Sequence, residues 1–127
     1  MDWQFSGDAP IYVQLIIQIK RGVVSGKFPP GERLPSVRDM AMQAGVNPNT
    51  MQRALTELER VGLVYSQRTS GRFVTEDRDI IEEAKRGLAK TYIDSFLMAM
   101  TQLGYEKDEI PALLSKVEEE EGNQCQS

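Results

Sequence analysis

The chain contains no histidine, a single cysteine (Cys125) and no apolar run approaching the ~18 residues that a membrane-spanning helix needs. The first absence removes the commonest metal ligand and general base. The second excludes a disulfide framework, since Cys125 stands alone in a polar tail. The third, with acids rather than a basic region near the N-terminus, argues for a cytoplasmic protein without membrane contact. Glycine-rich phosphate loops and metal-ligand clusters are missing as well. The acids and hydroxyls that are present form no recognisable catalytic constellation, so neither an enzyme nor a cofactor is expected. The 127 residues suffice for one core domain plus an appendage.

A net charge of −4 looks wrong for a nucleic-acid binder until the chain is divided. Up to Thr75 there are nine Lys and Arg against six Asp and Glu; beyond it there are six against thirteen, so +3 and −7 make up the total. The first part can meet phosphate, and the acidic part is expected to face away from it.

The most informative stretch is Pro35 to Gly62, PSVRDMAMQAGVNPNTMQRALTELERVG, which reads as a short helix, a tight turn and a longer helix. Ser36 is placed to cap the first helix, with Asp39 three residues on at the positive end of the dipole. Gly45 stops it where a left-handed residue is needed. Asn47 caps the second helix, Pro48 takes its first position, and Gly62 ends it with Leu63 beyond. Met40, Ala41, Ala44, Val46, Met51, Ala54, Leu55 and Leu58 fall on inward faces at helical spacing. Asn47, Asn49, Thr50, Gln52 and Arg53 crowd the outward face of the second helix's first turns. All can hydrogen-bond to base edges or phosphates. Five polar residues alone would suit a plain solvated face; the caps, the turn glycine and the small Ala41 in register favour DNA recognition.

Before this stretch, Trp3 and Phe5 alternate so as to pack against the body. Asp8 and Pro10 then open a helix, with the aspartate as cap and the proline in the first turn. Ile11, Leu15, Ile16, Ile19 and Val23 give that helix one apolar face up to Gly26, with Tyr12 and Gln18 off its centre. Phe28–Gly31 is a rigid turn, and Glu32–Leu34 is one extended piece that pairs with strands elsewhere. After Gly62, residues 63–67 and 72–75 are strand-like, and Arg68 to Gly71 form a hairpin tip. A hairpin directly after a recognition helix is a wing whose basic tip can reach backbone or minor groove, although an ordinary solvated turn carrying two arginines has the same composition.

The run PIYVQLIIQIKRGVVSGKFPPGERLPSVRDMAMQAGVNPNTMQRALTELERVGLVYSQRTSGRFV, about residues 10–75, resembles the winged-helix domain of GntR-type bacterial transcription regulators. The resemblance implies that Arg38 contacts DNA backbone or bases. It also implies that Asn47, Asn49, Thr50 and Gln52 or Arg53 contact bases and phosphates, and that the tip from Arg68 to Gly71 enters the minor groove. Arg33, Ser36, Ser70 and Arg72 complete the candidate DNA-binding set. Many members have two glycines at the wing; here Thr69 takes the first place and only Gly71 remains.

The C-terminal part starts with acids at 76–79 and shows no breaker before Gly104, predicting a helix of about 25 residues. Ile81, Ala84, Leu88, Tyr92, Phe96, Ala99, Met100 and Leu103 form its apolar stripe, with Gly87 as the weak point. Asp108 is read as the cap of a second helix carrying Ile110, Leu113, Leu114 and Val117. The expected division is a winged helix-turn-helix over 1–75, a helical dimerisation region over 76–121 and a disordered tail over 122–127. Two helices cannot enclose a metabolite, yet their apolar surface exceeds what a lone hairpin leaves wet, so a symmetric dimer is the economical solution. Their short length resembles the YtrA-type branch of the GntR regulators, whose small C-terminal helices dimerise.

The expected fold is therefore mainly α with a small β-hairpin wing and a two-helix appendage. The expected function is a homodimeric regulator, a repressor by resemblance, that binds a palindromic operator in double-stranded DNA. A winged-helix module that binds protein instead of DNA is the alternative, disfavoured by the arginines at positions 33, 38, 53, 68 and 72. Whether a small-molecule effector acts on the protein is left open.

Overall fold

Local capping and helical periodicity set the element order in the computed structural model, which describes residues 1–125. It contains α1 (Ile11–Val24), α2 (Val37–Ala44), α3 (Pro48–Arg60), β1 (Val64–Gln67), β2 (Gly71–Val74), α4 (Arg78–Gln102) and, after a 3₁₀ turn at Lys107–Glu109, α5 (Ile110–Cys125). The chain divides into two compact units, one from Met1 to Leu88 and one from Ala89 on. The first contains the winged helix-turn-helix and continues into the start of α4. Ile80, Ile81 and Ala84, on the first turns of α4, pack against its core.

That core is built where the periodicity places it. Leu15, Ile19 and Val23 from α1 meet Met40 and Ala41 from α2 and Met51, Ala54, Leu55 and Leu58 from α3, all essentially buried. Each fully covered large side chain contributes roughly 1.5–3 kcal/mol of hydrophobic stabilisation. Leu34, Leu63, Val64 and Val74 close the core from the sheet side. The strands β1 and β2 pair antiparallel, Val64 opposite Val74 and Gln67 opposite Gly71. The segment before α2 joins them as expected: Leu34 N–H donates to the Arg72 carbonyl, and Val74 N–H to that of Glu32, both at 2.9 Å.

In the N-terminal region, the start of α1 and the burial of Gln18 differ from what the sequence suggests. Pro10, not Asp8, occupies the position before α1, and no side chain caps this helix. Gln18 is buried although it is polar, because its amide pairs with the main chain of Gln4, accepting from N–H at 3.1 Å and donating to C=O at 2.7 Å. One turn earlier, Gln14 does the same to Ser6, with both bonds at 2.8 Å. Four helical residues rise about 6 Å and two extended residues about 6.7 Å, so the two ladders stay in register. This clamp holds the arm with Trp3 and Phe5 against the core. Gly22 has its own reason: a Cβ there would lie 2.7 Å from the Phe28 ring, which packs on the bare helix backbone.

In the second unit, α4 ends as predicted, with Gly104 at φ +98° and Tyr105 N–H closing on the Met100 carbonyl. The cap of the following turn is Glu106 rather than Asp108, because Glu106 and Glu109 form a reciprocal capping box. The helix α5 runs on to Cys125, into the stretch 122–127 that composition assigned to a disordered tail; Gln126 and Ser127 lie outside the described residues. Ile110 is the one buried apolar residue of this unit among the described residues. No helix of the described residues is long and apolar enough to cross a membrane.

Candidate nucleic-acid interface

The helix-turn-helix is fixed by the groups that its sequence supplies. The Ser36 hydroxyl accepts from Asp39 N–H at 3.1 Å, leaving its own O–H free to donate. Gly45 takes the left-handed conformation at φ +70° and ends α2. Asn47 Oδ1 accepts from Asn49 N–H at 2.8 Å, so Asn47 caps α3 with Pro48 behind it. The turn is the three residues Gly45, Val46 and Asn47. Since Met51, Ala54, Leu55 and Leu58 are buried, the opposite face of α3 is left to Asn49, Gln52, Arg53 and Thr56, all exposed, with Thr50 half-buried beside them.

These side chains are not equally free. Asn49's amide makes no hydrogen bond among the described residues, whereas Gln52 Nε2 donates to Thr56 Oγ1 at 3.2 Å, one turn on. Arg38, in the first turn of α2, and Arg68, at the hairpin tip, are exposed and have no ion-pair partner among the described residues. Arg53 rests on an aromatic ring, its guanidinium carbon 3.6 Å from the centre of Tyr12 in α1.

The wing is braced from two sides. Arg72 Nε reaches Glu59 Oε1 at 2.6 Å, and the same oxygen accepts from the Ser66 hydroxyl, so α3, β1 and β2 meet on one carboxylate. Arg72 therefore ties the hairpin to the recognition helix instead of standing free as a phosphate contact. On the other side, Arg33 packs on the tip, its Nε 3.2 Å from where a Cβ on Gly71 would lie. Gly71 has φ +97°, which makes this position doubly specific for glycine. Tyr65 and Phe73, directly opposite across the strands, stack with ring centres 5.7 Å apart. The tip itself, 68–70, is exposed apart from Ser70, which is half-buried.

Burial pushes the Glu59 carboxyl up, but the hydrogen bonds from Ser66 and Arg72 and the charge of Arg72 outweigh it and hold it below the ordinary value of 4.5. The folded state then binds fewer protons here than the unfolded chain. This contribution to stability is complete above about pH 4.5 and is lost as pH falls through the folded value. Glu59→Gln is expected to lower the melting temperature at pH 7 and to flatten its decline below about pH 4.5. Melting curves of both proteins between pH 3 and 7 check this; parallel pH profiles would refute the brace.

The glutamine clamp, the Tyr12–Arg53 stack and the Glu59 brace escaped the sequence reading. Each joins residues remote in the chain, and a lone aromatic or acid carries no local signal. The stripe of α4 is also redistributed. Ile81 and Ala84, expected at a dimer seam, are half-covered by the first unit's own core. Further along, α4 has no buried residue. Tyr92, Ile93, Phe96, Ala99 and Leu103 are exposed, as are Leu114 and Val117 of α5; Leu88, Met100 and Leu113 are half-buried.

Residues 11–74 match the family model described as "Bacterial regulatory proteins, gntR family". Two curated relatives come from Bacillus subtilis (strain 168). The uncharacterized HTH-type transcriptional regulator YhcF is 43% identical over 87% of this chain and 91% of its own length. The HTH-type transcriptional repressor YtrA is 31% identical over 85% and 84%. Among solved structures, a GntR family transcriptional regulator from Listeria monocytogenes superposes with TM-score 0.80 at 38% identity, covering 88% of this chain and 98% of its own. The DNA-binding domain of AraR, in complex with operator ORX1, matches with TM-score 0.54 at 29% identity over 59% of this chain and 96% of its own.

Proposed function

Because the chain belongs to the GntR family of bacterial regulatory proteins, we propose that it is a homodimeric, sequence-specific DNA-binding repressor that works in the cytoplasm on a palindromic operator. The observation that carries this is the outer face of α3, where Asn49, Gln52 and Arg53 stand exposed on a helix whose opposite face is buried. Asn49 and Gln52 carry amides that pair bidentately with adenine in the major groove, and Thr50 reaches a phosphate or a thymine methyl. Arg38, Arg53 and Arg68 neutralise phosphates and fix register. The Ser36 hydroxyl proton and the tip at Ser70 and Gly71 add backbone contacts. Arg33 backs the tip, and Arg72 contributes through the brace.

The palindrome follows from symmetry. A two-fold dimer presents two equal α3 helices, which need two equal half-sites in inverted repeat. The uncovered apolar residues of α4 and α5 supply the dimer contact. The acidic balance beyond residue 75 keeps that part off the phosphates. Repression is the role named for YtrA. It requires only that an operator overlap a promoter.

Selection of bound sequences from random DNA tests this reading, and an inverted repeat with fixed spacing is expected. On the selected duplex, Arg38→Ala is expected to weaken binding to specific and unrelated DNA alike and to flatten the plot of log K against log salt by about one unit. No enrichment of any sequence, with salt-independent binding, would point to a protein partner instead. An unchanged slope with altered base preference would move Arg38 among the base readers.

A further inference from the structure

The arginines of the recognition helix and wing are held by different means. Arg60 pairs with Glu57 and Arg72 with Glu59, so in each case a carboxylate that orients the guanidinium also cancels its charge. Arg53 is oriented by the Tyr12 ring at 3.6 Å, and among the described residues no carboxylate pairs with it. A ring face attracts the cation through its quadrupole without neutralising it, and contact through the flat face leaves the N–H donors at the edge free. Arg53 also lies one turn after Asn49 on the same exposed face, so whatever fixes Arg53 fixes the register of a base reader as well.

We propose that Tyr12 is a positioning residue for DNA binding: its ring, carried by α1 where α1 packs on α3, pre-orients Arg53 for a phosphate of the operator half-site. This rests on the DNA-binding reading given above. Arginine is rich in rotamers, and a contact to phosphate immobilises it. A stack already formed in the free protein removes part of that loss while keeping the full charge for the DNA. Position 12 thus belongs to the binding machinery although it lies outside the helix-turn-helix and the wing.

The test is a double-mutant cycle on affinity for the selected operator duplex, using Tyr12→Leu, Arg53→Ala and the pair. Tyr12→Leu is expected to weaken binding about three- to tenfold, and Tyr12→Phe, which keeps the ring face, to bind like the parent. In the Arg53→Ala background Tyr12→Leu should change nothing further. Equal losses with and without Arg53, or Tyr12→Phe as weak as Tyr12→Leu, would overturn the proposal. A second measurement does not depend on how the leucine variant folds: in the parent protein the Arg53 side-chain protons should be shifted upfield by the ring current. Ordinary shifts would overturn it too. If the parent binds neither operator nor unrelated duplex, the DNA-binding reading falls and takes this proposal with it. A parent that binds tightly with an additive cycle removes Tyr12 alone.

Discussion

Phe96→Asp is expected to turn the protein into a monomer and to weaken operator binding by about two orders of magnitude or more. Phe96 is 38% exposed, and one turn earlier Tyr92 is 51% exposed, on a helix that buries none of its own side chains. A symmetric seam that covers them would bring each new carboxylate near its copy and out of water, where an unpaired charge costs several kcal/mol. The loss in DNA affinity follows from linkage rather than from a lost contact. Two tethered recognition helices gain roughly 10²–10⁴ in avidity over one, and separate chains forfeit it. Leu88→Asp should act similarly but less cleanly, because Leu88 closes the first compact unit and is half-buried already. Sedimentation equilibrium at micromolar concentration, with thermal melting to verify that the winged helix is intact, reads the result. A well-folded parent protein that sediments as a monomer would remove the seam from the argument altogether.

The second large effect divides labour at the start of α3. Asn47 and Asn49 are the same residue type two positions apart, yet their side chains are used differently. Asn47 Oδ1 is occupied by the Asn49 N–H, while the Asn49 amide has no protein partner among the described residues. Asn49→Ala is expected to relax preference at one or two operator positions by about 1–3 kcal/mol each, with an unchanged melting temperature. Asn47→Ala is expected to cost about 1 kcal/mol of stability and to weaken specific and non-specific binding together. Gln52→Ala should resemble Asn49→Ala with a smaller effect, since the Gln52 amide gives up its bond to Thr56 before it can read a base. Melting curves beside binding to a panel of operator variants separate the three. If Asn47→Ala melts like the parent and loses preference at one base pair, cap and reader are exchanged.

These two predictions also mark where the sequence was legible. The helix-turn-helix could be read residue by residue because its signals act within one turn of the chain. Ser36 reaches the N–H of Asp39, Asn47 that of Asn49, and Gly45 and Gly62 supply their left-handed φ on the spot. Buried faces were legible for a related reason, since a helix that hides every third or fourth residue must place apolar groups there. The hairpin and the extended Glu32–Leu34 segment were equally plain from the change of period and the flanking prolines and glycines.

Tertiary structure alone decided which candidate site residues are free and which are already engaged. Arg72 reads in the sequence as one more basic wing residue, but Glu59 on a neighbouring element claims it. Arg53 reads as a plain cation, but Tyr12 lies beneath it. Gln18 breaks an apolar face in the sequence and is buried because the arm's peptide groups satisfy its amide. Ile81 and Ala84 belong to the stripe of α4 by spacing, yet they pack half-buried against the core of the first unit. In each case the residue type permits several partners of similar energy. The choice among them falls to whichever group the packing of α1, α3 and the hairpin brings within reach, a distance that no local pattern encodes.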